Sequence, residues 1–143
     1  MPSRARERSS LDVGVDLVAI DEVAAALARF GARYKARLFT AREQADCDAR
    51  GRAAAASYAA RFAAKEAVLK VLAPPDVRPP WTDIEVVRRA SGACRVALHG
   101  AGRQLARRRR LAAWSVSLSH EAGVAVALVA ARRAPAPTKG RAR

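Results

Sequence analysis

The chain has 143 residues, enough for one domain with a substantial core, and a formal charge of +14. Its two cysteines, Cys47 and Cys94, are too few and too far apart for a metal cluster or a disulfide framework, and no apolar run reaches the roughly 18 residues that span a bilayer. The charge resembles a nucleic-acid signature, yet residues 1–8 carry +2 and residues 132–143 carry +5, half of the total, while seven aromatic residues and no recognisable nucleic-acid motif accompany it.

In chain order, residues 1–10 are polar and aperiodic. Leu11, Val13, Val15 and Leu17 then alternate as a first strand, with Asp12, Gly14 and Asp16 on its other face. Asp21 is placed to cap a helix running to Phe30, with Gly31 as its stop. Thr40-Ala41-Arg42-Glu43 has the form of a capping box for a second short helix ending near Gly51. A third helix runs from about Ala53 to Leu72, where Pro74 and Pro75 end it. Trp81 opens a strand-like alternation through Val87, which a Ser91-Gly92 turn joins to a strand over Cys94–Leu98. Gly100–Arg110 reads as a helix with an exposed basic end. Ala113–Ser119 alternates between Trp114, Val116, Leu118 and Ser115, Ser117, Ser119; His120 and Glu121 close it, and Val124–Ala130 is a final apolar strand. Helices early and antiparallel strands late predict an α+β fold, with one domain over 11–131 between disordered basic tails at 1–10 and 132–143. Asp12 and Asp16 interrupt the apolar run that a signal peptide would need, so the expected location is the cytoplasm.

The third helix holds the most informative charges. On a helical projection, Phe62 and Leu69 fall between Lys65 and Glu66, so these charges flank an apolar stripe, while Ala60, Ala63, Ala64 and Ala67 form a smooth face for close packing. Partly buried charges there need partners. Arginine is the default cation, with 23 against four lysines, so Lys65 and Lys70 stand out as compact ammonium groups suited to phosphate. The spacing of Glu66 and Lys70 equally fits an ordinary surface pair. Asp16 on the first strand and Glu66 on the helix are two carboxylates on elements that can pack together, a sparse donor set of the kind Mg²⁺ uses when phosphates complete its shell. His120 beside the serine face could bind phosphate or an adenine edge, and could equally be a strand-end histidine satisfied by backbone.

Val13–Val18, Arg61–Lys70, Trp81–Val86 and Ser117–Glu121, in this order, resemble the signatures of holo-acyl-carrier-protein synthases, the small bacterial-type 4′-phosphopantetheinyl transferases. The resemblance spans about Val13–Ala130 and implies that family's fold, an antiparallel sheet with a long central helix. It implies that Asp16 and Glu66 hold Mg²⁺ at the pyrophosphate of coenzyme A, with Glu66 and Lys70 at the transferring phosphate. It further implies that Arg61, Lys65 and His120 contact coenzyme A, and that an acidic acyl carrier protein of lipid, polyketide or peptide synthesis accepts the group. A homotrimer with active sites between subunits follows from the same resemblance, and no membrane or nucleic-acid partner does. The arginines and lysine at Arg29, Arg33, Lys35 and Arg37 fit docking of an acidic carrier. Two positions depart from the family pattern: Glu22 stands where an arginine commonly meets the carrier, and Ala73–Pro80 replaces a glycine-containing connection. The readings from other classes are a basic nucleic-acid-binding module and an inactive carrier-binding relative.

Overall fold

The computed structural model describes residues 10–137. Its first strand, β1 (Ser10–Ala19), leads into α1 (Ile20–Phe30), α2 (Ala32–Leu38), α3 (Ala41–Asp48) and the long α4 (Ala54–Leu72). A hairpin of β2 (Ile84–Arg88) and β3 (Cys94–Leu98) follows, then α5 (Gly100–Arg108), β4 (Leu111–Glu121) and β5 (Val124–Arg133). The strands β1, β5 and β4 form an antiparallel sheet with β5 in the centre, and β2 and β3 pair separately. The helix α4 lies on the inner face of the three-stranded sheet, as the expected α+β architecture requires.

That packing follows from small side chains. Ala63, Ala64 and Ala67 of α4 are fully buried, as are Ala125, Ala127, Val129 and Ala131 along one face of β5. Removal of bulk on both sides lets helix and sheet approach closely. Gly14 takes this to its limit: a Cβ there would stand 2.3 Å from the Ala67 carbonyl oxygen. The glycine therefore serves close approach, since β1 pairs with β5 without a bulge from Ser10–Arg133 to Ala19–Val124.

Asp12, Gly14, Asp16 and Val18 of β1 thus lie on the α4 side, and its other aliphatic residues face out. Leu11, Val13, Val15 and Leu17 are all exposed, Leu17 at 66%. On β5 their neighbours Val124 and Leu128 are exposed as well, and Ser115, Ser117 and Ser119 of β4 border them across the sheet. The outer face is an apolar sheet surface with a serine edge.

Several boundaries differ from the sequence expectation. The α1 helix begins at Ile20, with Ala19 at its N-cap, so Asp21 sits inside the first turn and does not cap. Gly31, at φ 52°, interrupts the helix for one residue only, and α2 resumes at Ala32 without a side-chain cap that could have announced it. Thr40 and Glu43 form the expected capping box of α3. Trp81–Asp83 is a 3-10 turn, and β2 buries Glu85 together with its apolar neighbours, so its alternation does not mark a half-solvated strand. A break in register at Ala113, whose φ is 52°, lets β4 extend back to Leu111. At the termini, Ser10, Arg132 and Arg133 belong to the sheet and not to tails, because Arg133 pairs with Asp12 across β1 and β5. The remaining tail expectations, at 1–9 and 138–143, lie outside the described residues.

Candidate active site

Two cavities flank α4, and the helix supplies charged groups to both. The first, about 330 Å³, is lined by Arg50, Ser57, Arg61, Arg88, Ser119 and His120, among others. Arg61 is 2% exposed. Its Nη1 donates to Ser57 Oγ at 2.6 Å, whereas Nε and Nη2 are buried with no hydrogen-bond partner among the described residues. Asp46 stands 3.6 Å from Nη2, too far to satisfy it. A buried guanidinium with unused donors beside a basic cavity is suited to an anion, because leaving such donors unpaired is costly. His120 lies at the mouth of this cavity and is exposed.

The second cavity, about 320 Å³, is lined by Glu66, Leu69, Lys70, Pro74, Asp76 and Arg78. Asp16 of β1 adjoins it: Lys70 Nζ stands 3.1 Å from Asp16 Oδ1 and donates to the Val15 carbonyl at 2.6 Å. Burial pushes the Glu66 carboxyl above its ordinary range, the Asp16 carboxylate adds to this, and Arg78 and Lys70 partly offset it. Glu66 and Asp16 therefore form a like-charged pair that a cation would relieve. Among the described residues no group of three or more His, Cys, Asp or Glu side chains could hold a metal. A two-carboxylate, all-oxygen set does fit Mg²⁺, which keeps water and substrate oxygens in its remaining positions.

Lys65 departs from the expected coenzyme A contact. Its side chain is 0% exposed, its Nζ lies 2.8 Å from Glu43 Oε2, and it also donates to the Trp81 carbonyl at 3.1 Å and to the Ile84 carbonyl. Three acceptors satisfy its three donors, so the ammonium ties α4 to α3 and to the start of β2. The compactness that made lysine notable is what this enclosed site requires, since a guanidinium fork would not fit three converging oxygens. Glu43 is equally buried and also accepts from Thr40 N at 2.8 Å and Val86 N at 2.8 Å. Glu85 continues the network, accepting from Thr40 Oγ1 at 2.6 Å and meeting His99 Nε2 at 3.2 Å. Burial alone would raise the Glu85 carboxyl, but these hydrogen bonds outweigh it and hold it below its ordinary range.

The structure thus brings Arg61 and His120 together, places Asp16, Glu66 and Lys70 together, and removes Lys65 from both groups. Sequence reasoning missed Arg50, Arg88 and Arg78, because single arginines in a chain with 23 of them carry no signal.

Residues 12–129 match the family model described as the 4′-phosphopantetheinyl transferase superfamily. The chain belongs to that superfamily. Among its relatives, the holo-[acyl-carrier-protein] synthase of Desulforudis audaxviator is 45% identical over 121 residues, covering 85% of this chain and 92% of that protein. The acyl carrier protein synthase structure from Mycobacterium tuberculosis is 36% identical with a TM-score of 0.63, covering 87% and 97% of the two chains. The coenzyme A complex of the enzyme from Chronobacterium ammoniagenes superposes with a TM-score of 0.77 at 29% identity, covering 87% and 98%. Both solved relatives share the fold of this chain, and both cavities fall within the span matched by the family model.

Proposed function

We propose that the protein transfers the 4′-phosphopantetheine group of coenzyme A to a serine of an acyl carrier protein. The observation that carries this reading is the division of labour along α4. Arg61 and Lys70 are nine residues apart, about 13 Å along the helix axis; Arg61 lies at a basic cavity suited to an anion, and Lys70 at one whose carboxylates suit a cation accompanying a phosphate. Coenzyme A is such a ligand, with a 3′-phosphate at its nucleotide end and a pyrophosphate at the reacting end. Membership of the superfamily and the coenzyme A complex of a relative support the same assignment.

In this reading Arg61 supplies its unused donors to the nucleotide phosphate, with His120 at the rim of the same cavity. Asp16 and Glu66 would hold Mg²⁺, which supplies charge neutralisation at the phosphoryl oxygens. The serine oxygen of the carrier forms a bond to the β-phosphorus while the bond from that phosphorus to the bridging oxygen breaks, releasing adenosine 3′,5′-bisphosphate. The serine proton passes to the Glu66 carboxylate, which lines the cavity where the reacting phosphate would lie. Lys70, whose side chain is 54% exposed, can turn from Asp16 towards the reacting phosphate and offset the charge that builds there.

The carrier docks, in this proposal, on the basic surface of α1 and α2. Arg33, Tyr34, Arg37 and Phe30 line a cleft of about 520 Å³, and Arg29 stacks 5.1 Å from the Phe30 ring centroid. Lys35 is less available than its sequence position suggests, being paired with Asp48 at 2.9 Å. The protein assembles, in this proposal, as a homotrimer; the apolar outer face of the sheet supports association of subunits, because four exposed aliphatic side chains on one strand are costly to leave in water. The test is direct: purified protein, coenzyme A, Mg²⁺ and an apo carrier are incubated and the carrier is weighed intact. Gain of one phosphopantetheine per carrier supports the assignment; no gain on any of a panel of acidic carriers refutes it.

A further inference from the structure

The proline-rich connection between α4 and β2 places a cation in the reaction cavity that the site residues already named do not include. Arg78 lines the cavity of Glu66 and Lys70, together with Pro74 and Asp76. The same three loop residues also line a larger, mostly apolar cavity of about 600 Å³ against α5, so the side chain stands where the two cavities adjoin. Pro74, Pro75, Pro79 and Pro80 bracket it within seven residues, and Pro79 is buried. Fixed φ angles on both sides reduce the freedom that this stretch loses when a ligand arrives.

Commitment of the neighbouring charges is what singles Arg78 out. Lys70 is held by Asp16 and by the Val15 carbonyl. Glu66 and Asp76 contribute negative charge to the same cavity. Arg78 is exposed and forms no ion pair among the described residues. An anion entering here meets Lys70, which must first turn from Asp16, and Arg78, a planar fork without an ion pair among the described residues that is suited to two phosphoryl oxygens.

We propose that Arg78 is a substrate-positioning residue whose guanidinium binds oxygens of the transferring β-phosphoryl group of coenzyme A. The inference rests on the transfer reaction proposed above and adds to it a residue of the proline-rich loop. Arg78 thereby anchors the reacting end of the ligand independently of the nucleotide end, which Arg61 holds.

The test compares calorimetric binding of coenzyme A and of adenosine 3′,5′-bisphosphate to the full chain and its Arg78→Ala and Arg78→Lys variants, all in Mg²⁺. The bisphosphate lacks the β-phosphoryl group. Loss of a charge-assisted contact should weaken coenzyme A binding by about tenfold in Arg78→Ala, leave bisphosphate binding unchanged, and be partly restored in Arg78→Lys. Equal losses for both ligands, or no loss for either, would overturn the proposal. Thermal melting of each variant identifies any unfolding, and Arg78→Lys then supplies the comparison. Carrier loading by the wild-type protein keeps the two claims apart: absence of transfer counts against the reaction, whereas normal transfer with equal ligand losses counts against Arg78 alone.

Discussion

Lys65 and Lys70 sit five residues apart on α4 and have opposite fates. Lys65 is enclosed by Glu43 and two backbone carbonyls, and burial lowers its pKa despite the nearby carboxylates. Lys70 is more than half exposed and leans on Asp16. Lys70 can therefore be replaced without disturbing the core. Lys70→Ala should fold normally and lower the transfer rate by on the order of 10²-fold, with a much smaller effect on coenzyme A affinity, because its charge matters most where charge develops. Single-turnover rates alongside calorimetry would check this, and equal losses in rate and affinity would contradict it. Glu22 is a second residue with a partner-dependent role. It is exposed in the first turn of α1, near the surface proposed to dock an acidic carrier. Glu22→Arg is expected to lower the KM for an acidic carrier by about two- to fivefold, mainly at low salt, since exposed charges steer encounter and are screened. Steady-state kinetics at two ionic strengths, with coenzyme A saturating, would decide it; an unchanged KM would place Glu22 outside the docking surface.

At the scale of elements, the site depends on how closely β1 approaches α4. Gly14 permits that approach, and Asp16 follows it by two residues on the same face. Gly14→Ala must displace the backbone at Ala67, so it should destabilise the fold by about 1–3 kcal/mol and reduce transfer by separating Asp16 from Glu66. Melting and loading assays would measure both; wild-type stability would mean that the contact is relaxed elsewhere. Much of this arrangement was legible in the sequence. The capping box at Thr40, the alanine face of α4 and the alternation of β1 gave the elements, and the charges on α4 pointed to the helix that borders both cavities. Three things were not legible for physical reasons. An alternating strand has two faces, and only assembly of the sheet decided that the aliphatic one points outward. A helix that resumes one residue after Gly31 has no cap to announce it. Lys65 was misplaced because its partner Glu43 lies 22 residues away, on a helix whose packing no local pattern encodes.

At the scale of the whole molecule, the outward aliphatic face of β1 and β5 is the feature that a lone chain least explains. Leu11, Val13, Val15 and Leu17 form a continuous row beside Leu128. If subunits pack on this face, Leu17→Lys should shift the protein from trimer to monomer in sedimentation and lower its melting temperature at equal protein concentration, since association stabilises by mass action. A wild-type protein that sediments as a monomer would contradict that assembly. The central claim is that one helix holds the nucleotide end of coenzyme A with Arg61 and performs the reaction with Glu66. Its most direct test is an intact-mass time course of an apo carrier with wild-type protein and with Glu66→Gln, at coenzyme A concentrations giving equal occupancy by calorimetry. Glu66→Gln should bind coenzyme A within about fivefold of wild type yet load the carrier on the order of 10²- to 10³-fold more slowly. Loading at the wild-type rate by the bound Glu66→Gln protein would contradict it.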